Sequence, residues 1–452
     1  MGANRFPCLE NLCRSPTNLL KRPCAQNITE IVSAILMENE YHKQHYVPVW
    51  YQKRFMPPAA KDNELLYLDL RPGTFKDPRG VVHPNRALRR LGPKHCFYEP
   101  DLYTHTMGNI RHTEIEQHFF GAIDGHGKKA IEHFADFDHM KAGTHEALQP
   151  MLLYMSTQKL RTPKGLGWLA EKTRNSNHSS VLETMVRLQQ IFCAIWTESI
   201  WLIADASQSK TKLLVSDCPV TVYNRRCGPR SQWCRGYNDP DIWLNGTHTF
   251  FPLSAEKLLI LTNLSWVRSP YQDPVAPRPN PNPFRHAMFN ILDIQIGRHL
   301  IEQEVREINF ITKLRAHRYI AAAQEDWLYP ERYISKSDWS RYGHGYLFMP
   351  DPRSVTFSGE TLISYKNGRA EAFDEYGRRP WQQDYGKPAQ KSPNEWKTFH
   401  RFQGEFARLF GPYRRGRSNQ MDRLDNERDS DDYHQYHLSL ETPKIRKSRG
   451  DR

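Results

Sequence analysis

Lys257-Leu258-Leu259-Ile260-Leu261-Thr262 is a short apolar run, and it closes a series formed by Lys212 to Val215, Pro219 to Tyr223 and His248 to Phe251. Each run is rich in β-branched and aromatic residues and is bounded by turn formers, which predicts a small, largely antiparallel sheet. Outward from it the period changes. Upstream, Ser180 to Ala206 is apolar on more than one face and reads as a long buried helix. Downstream, six prolines between Pro270 and Pro283 mark an extended connector, and Phe284 to Ala323 returns to helical spacing.

Two further helices precede the sheet. In Thr113 to Phe134, residues Ile115, Phe119, Ile123, Ile131 and Phe134 recur near helical spacing; Glu146 to Arg161 forms a second helix, with Pro150 in its first turn and Pro163 as its stop. Leu65 to Leu70 reads as a strand. Past Pro330, Ser354 to Phe357, Thr361 to Tyr365 and Arg369 to Phe373 are strand-like, the last two joined at Asn367-Gly368, a two-residue hairpin signal. The expected fold class is therefore α+β: a mainly helical body packed on a small antiparallel sheet, with a C-terminal hairpin appendage. Residues 1–35 read as a loosely ordered segment, 36–330 as the main domain, 331–410 as an extension carrying the hairpin, and 411–452 as a disordered charged tail too poor in apolar residues to offset its ordering entropy.

The 452 residues carry a formal charge of +13, and the ten basic and eight acidic residues after Phe410 leave most of that excess on the body. The densest basic patch is Arg71 to Lys94, with seven basic residues against one acidic; Arg86, Arg89 and Arg90 cluster there as candidate substrate-binding residues. Such charge suits nucleic acid or another polyanion, and it also occurs in basic proteins without such a partner. The eight cysteines include no CxxC pair and read as reduced thiols. With no export or lipid signal at the N-terminus, and with Ile191 to Ala206 interrupted by Glu198 and Asp205 and too short to span a bilayer, the expectation is a cytoplasmic protein without a membrane partner.

The segment Tyr41-His42-Lys43-Gln44-His45-Tyr46-Val47-Pro48-Val49-Trp50-Tyr51-Gln52-Lys53-Arg54-Phe55 resembles the opening signature of the domain-of-unknown-function family four-two-three-eight, a His-Tyr-Val-Pro run followed by Tyr and Phe. Further pieces follow in the family's order: Cys96-Phe97-Tyr98, Glu116, the Gln-x-x-Arg-x-Pro element Gln158 to Pro163, the Ser-Asp-x-Pro-Val element Ser216 to Val220, and Phe251-Pro252-Leu253-Ser254. The resemblance spans roughly residues 41 to 320. Many members carry adjacent histidines where this chain has Gln44-His45, and Cys218 stands where Asn is usual. The resemblance implies no established reaction, so it locates candidate residues without naming their task.

His45 lies just before Pro48 and is flanked by aromatics, which would hold its imidazole rigidly as a general base; a histidine there also serves to bond a backbone group across a turn, and the same choice applies to His42. Gln158 and Arg161, three apart on a helix, point to one side and would clamp a phosphate or carboxylate, unless they satisfy backbone carbonyls or a buried acid. Asp217 could orient the imidazole or cap a turn, and Cys218 is read as a small buried hydrophobe. The His and acid rich stretch from His112 to His133 matches no metal motif. No cofactor is expected, and a divalent metal stays open. Two readings follow: a hydrolase or nuclease acting on a phosphate-bearing substrate, with His45, Gln158, Arg161 and Asp217 as its site, or a non-catalytic nucleic-acid or protein interaction module in which the same residues hold the fold.

Overall fold

A computed structural model describes residues 5–7, 43–56, 64–107, 110–112, 119–234, 236–278, 288–290, 294–334, 339–342, 348–355, 360–364, 367–374, 378–383, 385–386 and 395–410. The expectations for residues 1–35 and 411–452, for His42, for Glu116 and for the start of the helix at 113–118 lie outside these, apart from a short pairing of Arg5–Pro7 with Met288–Asn290.

The first strands are β1 (Lys43–His45), β2 (Leu65–Asp69), β3 (Thr74–Lys76), β4 (Val82–Pro84), β5 (Leu88–Leu91) and β6 (Tyr98–Pro100). A helical stretch follows, made of α1 (Gly121–Ala135), α2 (Thr144–Leu160), α3 (Pro163–Thr173), α4 (His178–Arg187) and α5 (Cys193–Thr197). Pro163 does end α2, but it also opens α3: its fixed φ suits the first helical position, and the Thr162 side chain caps α3 by accepting from the Gly165 N–H at 3.1 Å. Asn177 caps α4 in the same way, accepting from the Ser180 N–H at 3.0 Å.

The second half contains β7 (Ser199–Asp205), β8 (Val215–Ser216), β9 (Thr221–Tyr223), β10 (His248–Pro252), β11 (Lys257–Asn263), α6 (Leu264–Arg268), β12 (Gln295–His299), α7 (Glu302–Arg315) and β13 (Tyr319–Ala322). A five-stranded sheet runs in the order β9, β10, β11, β7, β12. It is antiparallel except for the parallel pair β7 and β12, and β7 pairs with β11 from Ser199 opposite Asn263 to Asp205 opposite Lys257. A second sheet, four-stranded and antiparallel, runs in the order β8, β13, β2, β5. One face of the larger sheet, with Trp201, Ile203, Phe251 and Leu259, buries against Phe134 of α1, Met151 and Tyr154 of α2 and their neighbours. The opposite face, with Leu202, Ala204, Phe250 and Ile260, packs on Val305, Ile308 and Ile311 of α7. Beyond it, β14 (Glu360–Ser364) pairs antiparallel with β15 (Ala370–Asp374), and α8 (Glu395–Phe410) lays Phe399, Phe402 and Phe406 on Trp266, Val267, Met349 and Val355.

The fold class is thus mixed α+β, and two expectations need correction. The mainly helical body on one sheet is instead an interleaved structure with helices on both faces of one sheet and a second sheet beside it. The long helix over Ser180 to Ala206 is α4, α5 and the central strand β7, and the helix over Phe284 to Ala323 contains β12, α7 and β13. The reason is the same in both places. A strand covered on both faces is apolar at every position, so its two-residue period disappears and it reads like a buried helix. Among the described residues no helix is long and apolar enough to cross a membrane.

Candidate functional site

The short motifs form a hydrogen-bonded frame. In the helical turn after Pro48, the Tyr51 hydroxyl donates to the Pro252 carbonyl at 2.5 Å and Arg54 Nε to the Leu253 carbonyl at 2.5 Å, joining the first motif to the last. Gln52 Nε2 donates to the carbonyls of Val47 at 2.8 Å and Cys96 at 3.3 Å, and the Tyr46 N–H donates to the Phe97 carbonyl at 3.1 Å. Segments distant in sequence are tied here by backbone groups that need a partner once buried.

Gln158 and Arg161 come together as their spacing requires, but they face inward. Gln158 donates to the Tyr46 carbonyl at 2.8 Å and accepts from Arg161 Nε at 2.7 Å and also from Nη2; Arg161 Nη1 donates to Asp124 Oδ1 at 2.8 Å. The guanidinium lies between the rings of Phe120 and Tyr154, with the Arg161 side chain 1 % exposed. Burial opposes its charge, yet Asp124 outweighs this and the guanidinium pKa is raised; burial pushes the Asp124 carboxyl up against the pull of Arg161. Asp217, also buried, accepts three backbone N–H bonds where β13 begins: from His317 at 2.8 Å on Oδ1, and from Arg318 at 2.5 Å and Tyr319 at 2.8 Å on Oδ2.

His45 sits on β1 opposite Tyr98 of β6, with Nε2 3.3 Å from the Lys94 carbonyl and its ring 5.7 Å from that of Tyr98. Burial, with help from the charge of Lys43, lowers its pKa and leaves the imidazole neutral near pH 7. The four residues therefore lie along one frame, with Gln158 and Arg161 in contact, His45 turned to Lys94 and the Asp217 carboxylate on backbone amides. Arg86, Arg89 and Arg90 are exposed, and Arg89 and Arg90, consecutive on the edge strand β5, project to opposite faces of its sheet. Burial pushes the Cys218 thiol well above its usual range.

The chemistry collects one helical position away. Lys159 and Thr162, interleaved with Gln158 and Arg161, line a cavity of about 290 Å³ bounded by α3, by Cys218 and Val220, and by Trp233, Tyr237 and residues 239–243. Its aromatic lining includes Trp168, Phe192 and Trp243, with the Phe192 ring 6.0 Å from Trp168 and 5.6 Å from Trp243. Among its lining groups, Lys164 Nζ donates to Asp239 Oδ1 at 2.7 Å and to the Arg315 carbonyl at 2.7 Å, and Lys159 Nζ to Asp239 Oδ2 at 3.3 Å. Although burial opposes it, Lys164, Lys159 and Arg315 together hold the Asp239 carboxyl below the usual carboxylate range, so it is ionised. Two ammonium groups thus share one carboxylate, and the lining as a whole sets Lys159, Lys164 and Lys172 against Glu171, Asp239 and Asp241. Two glycines permit the close packing: a Cβ on Gly165 would lie 2.2 Å from the Lys159 carbonyl oxygen, and one on Gly167 2.5 Å from the Tyr237 ring.

Sequence reasoning missed Lys159, Lys164, Trp168, Asp239 and Trp243. The signal within reach was the pair of elements 158–163 and 216–220, both of which contribute to the cavity wall. Among the described residues no group of three or more His, Cys, Asp or Glu is placed to hold a metal ion. A family model described as "Protein of unknown function (DUF4238)" matches residues 43–326. No curated protein and no solved structure matches the chain.

Proposed function

Since the chain belongs to the DUF4238 family of proteins of unknown function, we propose from the geometry alone that it binds a small anionic molecule with a planar apolar body in the Trp168 and Trp243 cavity. One observation carries this reading: the Lys159 ammonium, placed on the wall of an aromatic cavity with Asp239 as its one acceptor among the described residues. Lys159 Nζ has one hydrogen-bond acceptor among the described residues, so an ammonium N–H remains for a ligand carboxylate or phosphate, while the rings stack on its body. Gln158, Arg161 and Asp217 act as supports that fix α2 and the 216–220 turn behind the cavity. The thiols of Cys96, Cys218, Cys227 and Cys234 are free, in keeping with a cytoplasmic setting for such a binder.

The test is tryptophan fluorescence titration with 2-naphthoate and its neutral amide. The acid should bind at least about tenfold more tightly, roughly one ion-pair hydrogen bond, and Lys159→Met should abolish that preference; equal affinities would refute the reading. Phosphate monoesters fall within the same ligand class, so a hydrolase or nuclease is the second reading, carried by the same Lys159 ammonium. It predicts phosphate or nucleotide release that Lys159→Met eliminates.

A further inference from the structure

Between β2 and β5 the chain leaves its sheet as a two-stranded ribbon. Strands β3 and β4 pair Thr74 with Pro84, Phe75 with His83 and Lys76 with Val82, and of residues 71–84 all but Asp77 and His83 are exposed. Phe75, Val81 and Val82 are 52 %, 52 % and 54 % exposed. Phe75, opposite His83, and Val82, opposite Lys76, alternate to the two sides of the ribbon, so each side exposes an apolar residue to solvent.

The charges around them specify the partner. Lys76, Arg79, Arg86, Arg89 and Arg90 are all exposed. The single acid between Arg71 and Lys94, Asp77, is engaged within the turn: it accepts from the Arg79 and Val81 N–H groups, each at 2.9 Å, and contacts His83 Nε2 at 3.1 Å. These cations do not coat one flat face. Alternation along the strands sends Phe75 and Lys76 to opposite sides of the ribbon, and Arg89 and Arg90 to opposite sides of β5. A flat polyanion would meet only half of them. Two phosphate strands flanking an inserted arm would meet both sets, and a two-stranded ribbon fits the major groove of B-form DNA, which is about 12 Å wide and about 8.5 Å deep. From Thr74 to the turn, about 3.3 Å per residue makes an arm of roughly 13 Å, long enough to reach the groove floor.

We infer that the β3–β4 ribbon is an arm that enters the major groove of duplex DNA, with its flanking cations on the phosphates and the exposed side chains of Phe75, Val81 and Val82 against base edges. Arginine and lysine supply the sequence-independent attraction, and the Phe75 and valine side chains meet apolar base edges such as thymine methyls. This arm is separate from the aromatic cavity and does not depend on it.

The experiment is fluorescence anisotropy of the full chain with a fluorescein-labelled 24-base-pair duplex of mixed sequence, between about 50 and 200 mM salt. Binding is expected at the low end. In the double variant Lys76→Ala, Arg79→Ala the slope of log affinity against log salt should fall in magnitude by about 1.8, at about 0.9 for each phosphate that is no longer neutralised. In Phe75→Ser, Val82→Ser the affinity should fall roughly tenfold, the worth of two partly desolvated apolar side chains, with the slope unchanged. All four positions are exposed, and an unchanged thermal midpoint confirms that each variant is folded. No binding at about 50 mM salt, an unchanged slope in the first variant, equal affinity for the isolated single strand, or capture by phosphatidylserine vesicles in place of the duplex would each overturn the inference.

Discussion

Asp217→Asn separates a structural from a catalytic carboxylate. The side chain is 2 % exposed and accepts N–H bonds from His317, Arg318 and Tyr319 at 2.8, 2.5 and 2.8 Å. The amide has the same shape, but one of its two ends is an NH₂ group that cannot accept, so whichever way it turns at least one buried N–H is orphaned, at about 1–3 kcal/mol. The bonds that survive become neutral rather than charge-assisted and weaken by about 1 kcal/mol each. Burying an amide in place of a carboxylate offsets part of this, which leaves a net loss of about 2–4 kcal/mol. Urea titration followed by tryptophan fluorescence measures it directly, and Asp217→Ala, which removes every acceptor, should lose more. If Asp217→Asn stays within about 1 kcal/mol of the unaltered chain while some activity disappears, the capping argument fails and Asp217 returns to a role in chemistry.

Three further outcomes follow from the same geometry. Gly165→Ala places a methyl group 2.2 Å from the Lys159 carbonyl oxygen and 2.4 Å from that of Leu160, both backbone atoms, so urea titration should show a loss of at least about 2 kcal/mol, with weaker 2-naphthoate binding. Burial raises the thiol pKa of Cys96 and Cys227 to about 12 and holds that of Cys218 well above its usual range; mass spectrometry after iodoacetamide at pH 7.5 should find all three unmodified in the folded chain and alkylated in urea. Burial, with Arg225 and Arg298 nearby, lowers His248 from 6.5 to about 3, so the unfolded chain binds the proton more tightly; the resulting stability is full above pH 6.5 and is lost as pH falls toward 3. At about 1.4 kcal/mol per pH unit the loss is capped at about 5 kcal/mol, and in His248→Gln the dependence of urea stability on pH between 6.5 and 4 should flatten.

Local pattern alone determined much of the architecture. The strands at His248–Pro252 and Lys257–Asn263 follow from apolar runs with β-branched and aromatic residues between turn residues, and the strand at Leu65–Asp69 from a short apolar run, because such a run has one extended way to pack. Family membership was legible in the order of short motifs, since their side chains bond to backbone groups and leave little freedom of residue type. Tertiary structure decided the rest. Ser199–Asp205 is a strand because β11 and β12 lie on either side of it and helices cover both faces, so its own residues carry no period to reveal that. β2 finds its partner in β13, about 250 residues along the chain, a pairing that no local signal encodes. The binding cavity shows the limit most clearly. Spacing correctly placed Gln158 and Arg161 on one side of α2, but a helix buried on nearly every side does not announce which side meets a cavity. Only the arrival of Asp239, some 75 to 80 residues later, draws Lys159 and Lys164 into one charged cluster, because a carboxylate removed from water must find its cations in space rather than in sequence.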